Sequence, residues 1–160
     1  MKYNELGIQP QLLRSVTELG FEEPTEIQEK AIPLIQKGYD VIGQSETGSG
    51  KTAAFGLPML EKIDPAKGLQ AIILAPTREL AEQIKKNLVS FSRYKRIFIT
   101  SIYGGVSMNM QSDKLRGGVE IVVACPGRLL DHLKQGQLKL ANVEVLVIDE
   151  ADRMFDMGFL

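Results

Sequence analysis

Alternation of apolar strands with helical stretches constrains the fold of this chain more than any other feature. Residues 41–43, 71–75, 97–103, 120–124 and 143–148 are apolar, β-rich runs. They are mostly too continuous in apolar character for a half-exposed sheet. Helical periodicity fills the stretches between them. In RELAEQIKKNLVSF, Leu80, Ile84, Leu88 and Phe91 recur at helical spacing and Glu82 can pair with Lys86. Such alternation predicts an α/β fold, a parallel sheet flanked by helices with right-handed crossovers. Each run ends in a polar or glycine-rich turn: GQSETGSGKT, APTREL, YGGVS, ACPGR and DEADR. In an open parallel sheet these turns share the carboxyl edge, where such sheets bind ligands.

The first of these turns carries the most specific chemistry. SETGSGKT spans Ser45 to Thr52 and precedes the apolar helical stretch AAFGLPML. Gly48 and Gly50 let the backbone bend so that successive N–H groups face phosphate oxygens, helped by the helix N-terminus. The loop of Ser45, Glu46, Thr47, Gly48, Ser49 and Gly50 would then cradle phosphates. Lys51 would reach the β and γ phosphates, and Thr52 would offer its hydroxyl to Mg²⁺. Ser45 stands where this motif usually has its first glycine. Gly48, Gly50 and Ala53 also fit the dinucleotide pattern G-x-G-x-x-A, but a dinucleotide fold has no use for Lys-Thr inside the turn.

A second acidic site supports the nucleotide reading. VLVIDEADRMF places Asp149, Glu150 and Asp152 at the end of an apolar strand, and Asp149 lies 97 positions after Thr52 (149 minus 52). Carboxylates there need a counter-charge, a metal ion or water. Asp149, after four apolar residues, is placed as the strand-terminal aspartate that holds Mg²⁺ in a nucleotide hydrolase. Glu150 is placed to orient and deprotonate a water. Alone, the cluster reads equally well as an acidic helix N-terminus; the phosphate loop decides between the two.

Composition adds limits. The chain has 160 residues, 44% hydrophobic and 24% charged, and a net charge of -1, so nucleic-acid binding would have to rest on local patches. No stretch approaches the roughly 18 apolar residues that span a bilayer, and MKYNELGIQP is unlike a signal peptide, so a cytoplasmic protein with no membrane partner is expected. A single cysteine, Cys125, and a single histidine, His132, exclude an internal disulfide and disfavour a zinc site; both are expected to be structural.

Taken together, GFEEPTEIQ, SETGSGKT, PTREL, GG, PGR and DEAD, in that order, resemble the first RecA-like domain of a DEAD-box ATP-dependent RNA helicase. The resemblance runs from Tyr3 to Phe159. It implies a RecA-like P-loop sheet, ATP and Mg²⁺ as cofactors, and RNA as partner. Residues 1–29 contain the family's Q motif, in which Gln28 would hydrogen-bond the adenine edge and Tyr3 would lie against the ring. Thr25 and Gln28 are also spaced as a helix capping box, which explains both without a ligand.

The resemblance further implies RNA contacts from Pro76, Thr77 and Arg78, from Gly104 and Gly105, and from Gly127 and Arg128. These would go to sugar and phosphate, without sequence preference and with no DNA specificity expected. Cys125 stands where the family usually has threonine before PGR. Lys85, Lys86, Arg93, Lys95 and Arg96 read as a solvated face. The mechanism implied is local strand separation, as ATP closes two RecA-like domains on single-stranded RNA.

Residues 1–160 would be a partial first RecA-like domain, incomplete at the C-terminal side and lacking the family's Ser-Ala-Thr motif and its second domain. The strand that carries that motif normally lies between the strand before the phosphate loop and the acidic strand. Its absence should leave an open slot there, a marginally stable chain and no ATP turnover. A nucleotide- and RNA-binding module without turnover of its own is the alternative reading.

Overall fold

Four of the five apolar runs pair into a sheet in the computed structural model of the chain, which describes residues 1–46 and 50–158. The strands are β1 (Ala71–Leu74), β2 (Ile99–Ile102), β3 (Ile121–Ala124) and β4 (Val145–Ile148). They run parallel in the order β2-β3-β1-β4, with Ile72 opposite both Val122 and Leu146. Helices α1 (Pro10–Glu18), α2 (Glu26–Gln36) and α3 (Lys51–Lys62) precede β1, and α4 (Arg78–Phe91), α5 (Met108–Arg116), α6 (Pro126–Lys134) and α7 (Ala151–Asp156) then alternate with the strands. The α/β sheet predicted from alternation is therefore present, and α4 has the bounds its periodicity gave.

Two compact units divide the chain. One comprises residues 1–63 and 87–96, the other residues 64–86 and 97–158, which include the whole sheet. In the sheet unit Leu69, Ile72, Ile102, Leu115, Val119, Val122, Ala124 and Leu129 form a continuous buried cluster. Burial of each large side chain there contributes about 1.5 to 3 kcal/mol. Within the other unit α3 is closely packed. A Cβ on Gly56 would come within 2.8 Å of Leu88 Cδ2, so glycine in mid-helix permits the approach of α4.

The run at residues 41–43 takes no strand, contrary to expectation. An apolar segment becomes a strand only through a ladder that satisfies its N–H and C=O groups, and none of β1 to β4 pairs with it. Its Ile42 is fully exposed. Strand β4 is correspondingly an edge: Leu146 and Ile148 are 60% and 40% exposed, so this strand is not the buried one its apolar run suggests.

Lys95 also departs from the solvated face expected of it. Its Nζ donates to Leu60 O (2.7 Å), Glu61 O (3.1 Å) and Gln9 Oε1 (3.2 Å), so it caps the last carbonyls of α3 with a favourable charge. Among the described residues no helix is long and apolar enough to cross a membrane.

Candidate functional site

Helix α3 starts at an N-cap residue that gives no side-chain cap. Gly50, its N-cap, has a left-handed backbone (φ 84°, ψ 27°) and no side chain with which to cap. The first N–H groups of any helix lack internal partners, and an uncapped start presents them to phosphate. A Cβ on Gly50 would lie 2.3 Å from Gln28 Nε2 and 3.2 Å from Thr25 Oγ1, so glycine is required here by angle and by space. Half-buried Lys51 and Thr52 occupy the first turn. Ser45 is half-buried and Glu46 exposed, while Thr47, Gly48 and Ser49 lie outside the described residues.

Gln28 joins this helix start to the N-terminal segment. Only 2% exposed, it donates from Nε2 to Gly50 O (3.1 Å) and accepts at Oε1 from the Thr25 N–H (3.1 Å) and from the Tyr3 hydroxyl. The capping box read from the sequence is present, with Thr25 as N-cap of α2. Among the described residues the second amide proton of Gln28 meets no acceptor. Tyr3 is 4% exposed, its ring packs on Phe21 at 5.7 Å between centroids, and burial pushes its hydroxyl pKa up against the Gln28 bond. The structure thus brings Tyr3 and Gln28 together and gives both an internal duty.

In the sheet unit, Asp149 closes β4, its N–H donating to Leu74 O at 2.9 Å. Its Oδ1 accepts the Glu150 N–H at 3.0 Å. Glu150 is the N-cap of α7 with φ 51° and ψ 51°, a left-handed backbone that costs a residue with a side chain about 1 to 2 kcal/mol. Its carboxylate lies 3.4 Å from Arg153 Nη1. Asp152 is exposed in the first turn of α7. The donor chemistry suits Mg²⁺, which takes one or two carboxylates with phosphate and water oxygens. Among the described residues no group of three His, Cys, Asp or Glu side chains could hold a metal by itself.

The turns after β1, β2 and β3 meet at one edge of the sheet. Pro76 is buried, and Thr77 Oγ1 accepts the Leu80 N–H at 3.2 Å, so the hydroxyl is used to cap α4. Exposed Arg78 lies over the Tyr103 ring, 5.0 Å from its centroid. Gly104 and Gly105 are exposed, Gly105 has φ 82°, and a Cβ on it would meet Arg78 Nη1 at 3.6 Å. Gly127 is exposed in the first turn of α6, whereas Arg128 is turned inward: Nη1 donates to Val106 O (2.8 Å) and to Gln111 Oε1 (3.1 Å).

Sequence reasoning missed the side chains behind this edge. Gln111 and Glu82 are polar groups on helices, where only burial distinguishes them from surface residues. The available signal was Gln111 four positions before Leu115, on one helical face. Cys125, the N-cap of α6, makes no side-chain cap, and burial with the neighbouring Glu79 charge pushes its thiol pKa up. Cys125→Thr should restore a cap and raise stability by about 0.5 to 2 kcal/mol, read as an increase in denaturation midpoint.

Comparison with known proteins adds relatives to this geometry. Residues 25–160 match the DEAD/DEAH box helicase family. The chain is 52% identical over 161 residues to the DEAD-box ATP-dependent RNA helicase CshA of Streptococcus pneumoniae, covering 100% of this chain and 31% of that protein. Against the ATP-dependent RNA helicase CshA of Listeria monocytogenes it is 50% identical over 160 residues, covering 99% and 31%. The crystal structure of a DEAD box protein from the hyperthermophile Methanococcus jannaschii superposes with a TM-score of 0.96 at 44% identity, covering 100% of this chain and 44% of the other. The chain therefore spans about a third of the length of the curated relatives it matches.

Proposed function

This chain belongs to the DEAD/DEAH box helicase family, and from that premise we propose that it is the ATP-binding part of an ATP-dependent RNA helicase that separates short RNA duplexes without sequence preference. The reading takes the chain as part of a first RecA-like domain, working with a second such domain. The observation that carries it is the start of α3, where a left-handed Gly50 held by Gln28 is an N-cap without a side chain before Lys51 and Thr52.

Each residue then has a physical role. The α3 N–H groups and the Lys51 ammonium bind the phosphate chain, and Thr52 with Asp149 would hold Mg²⁺. Bound ATP with Mg²⁺ supplies a phosphoryl group whose developing charge is neutralised. Glu150 orients a water and takes its proton. The spare Gln28 amide proton would meet an adenine acceptor, with Tyr3 holding the amide in place. Arg78, the Gly104–Gly105 turn and the exposed start of α6 offer a guanidinium and backbone N–H groups to RNA phosphates, which carry no sequence information.

Gln28 gives the test of base choice. Gln28→Ala should lower stability in any case, because the Thr25 N–H and the Tyr3 hydroxyl lose their acceptor. If Gln28 also reads adenine, calorimetry with Mg²⁺ should show ADP affinity falling roughly fivefold more than GDP affinity, the value of about 1 kcal/mol for one hydrogen bond. Equal losses for the two nucleotides would leave Gln28 as a cap and brace only.

A further inference from the structure

Four carbonyl and hydroxyl groups of one short segment are pinned by three different elements. Gln111, buried on α5, donates from Nε2 to Tyr103 O at 2.9 Å. Arg128 of α6 donates to Val106 O at 2.8 Å. The Tyr103 hydroxyl donates to Glu82 of α4 at 2.8 Å, and Ser101 donates to the same carboxylate oxygen. These donated hydrogen bonds, the Ser101 hydroxyl foremost, hold the Glu82 carboxyl below its usual pKa. Gly104 and Gly105 lie between the pinned positions.

Gln111 is the hub of this arrangement. Tyr103 O can only accept, so the amide nitrogen of Gln111 must face it and Oε1 must face the other way. There Oε1 receives Arg128 Nη1 at 3.1 Å and His132 Nε2 at 3.1 Å. The fully buried His132 must therefore carry its proton on Nε2, and its Nδ1 has no hydrogen-bond partner among the described residues. Burial and then the Arg128 charge lower the His132 pKa, which keeps the ring neutral.

We propose that Gln111 is a positioning residue that, together with Arg128 as a strut through Val106, locks the Gly104–Gly105 turn into the single arrangement that receives an RNA phosphate. The inference rests on the RNA reading above. A rigid turn offers its N–H groups to phosphate without paying ordering entropy on binding. Arg78 shares this support, because the Tyr103 ring beneath it is fixed at both the hydroxyl and the carbonyl.

The test measures binding of single-stranded oligouridine to the 160-residue chain across a salt series, alongside amide exchange at residues 104–107. Gln111→Ala should weaken oligouridine about 5- to 10-fold, quicken exchange at residues 104–107 but not in β1 or β3, and leave ADP affinity unchanged. Combined with Arg128→Ala it should be no weaker than Arg128→Ala alone, within about twofold, because the two side chains form one brace. Gln111→Glu keeps the acceptor for Arg128, which protects the fold, but loses the donor to Tyr103 O. It should likewise quicken exchange and weaken binding. Additive losses would overturn the brace, as would a fall of about 0.7 in salt slope for Arg128→Ala, the mark of a direct phosphate contact. Parent-like exchange and binding in Gln111→Glu would overturn it too. A parent chain that binds no oligouridine would overturn the RNA reading and with it this purpose for the brace. Oligouridine binding that ignores Gln111 would overturn the brace alone.

Discussion

Glu150→Gln should lower RNA-stimulated ATP turnover by roughly 10²- to 10⁴-fold while leaving nucleotide affinity near the parent value, measured in a two-domain protein that carries this chain. The range is that for losing a general base. Glutamine keeps the side-chain shape and the hydrogen-bonding length of glutamate and removes only the proton acceptor. The structure adds a reason to expect the position to be functional. Glu150 holds a left-handed backbone that glycine would adopt without strain, and a strained angle at a candidate catalytic group persists only where its surroundings enforce it. Ala66 also has a positive φ, 70°, in a turn with no candidate chemistry. The substitution separates the two features, because glutamine on the same backbone keeps the strain and loses the base. Turnover at the parent rate would remove Glu150 from the catalytic role. Asp149→Asn should behave differently and lose the Mg²⁺-dependent part of nucleotide affinity.

What could be read from the sequence divides along the range of the interactions involved. Helix α4 was legible to the residue because its apolar spacing and the Thr77 cap lie within one element. The capping box of α2 was legible for the same reason. Residues 41–43 were not, since their apolar character is local while a strand depends on a partner elsewhere. The bond from Gln28 to Gly50 O spans 22 positions, and nothing at either residue announces it. Lys95, in the turn after α4, and Gln111, on α5, failed in the same direction: a polar side chain reads as surface until the fold encloses it. The backbone angles of Glu150 were equally hidden, as only the order of acidic residues, and not their conformation, is written in the chain. The candidate site was thus visible as chemistry, and the network that orients it was not.

Lys51→Ala should weaken ADP with Mg²⁺ about 10- to 100-fold and, unusually for a loss of function, should not lower stability. The affinity estimate follows from a charged hydrogen bond worth roughly 1.5 to 3 kcal/mol. Binding should not vanish, because Gly50 and Gln28 remain to hold the α3 N–H groups in place. The stability estimate follows from position. Lys51 is the first residue of a 12-residue helix, where a positive charge opposes the helix dipole at a cost of about 0.3 to 1 kcal/mol. Alanine removes that conflict and has slightly better helix propensity. The melting temperature should therefore stay level or rise by about 1 to 4 °C. Residues that break a local rule without structural gain are where function is expected to reside, and opposite signs for affinity and stability are the signature of such a residue. Equal ADP affinity in parent and variant would remove Lys51 as the phosphate anchor. A weakened affinity accompanied by a fall in melting temperature would mean that the lysine supports the fold of the loop instead.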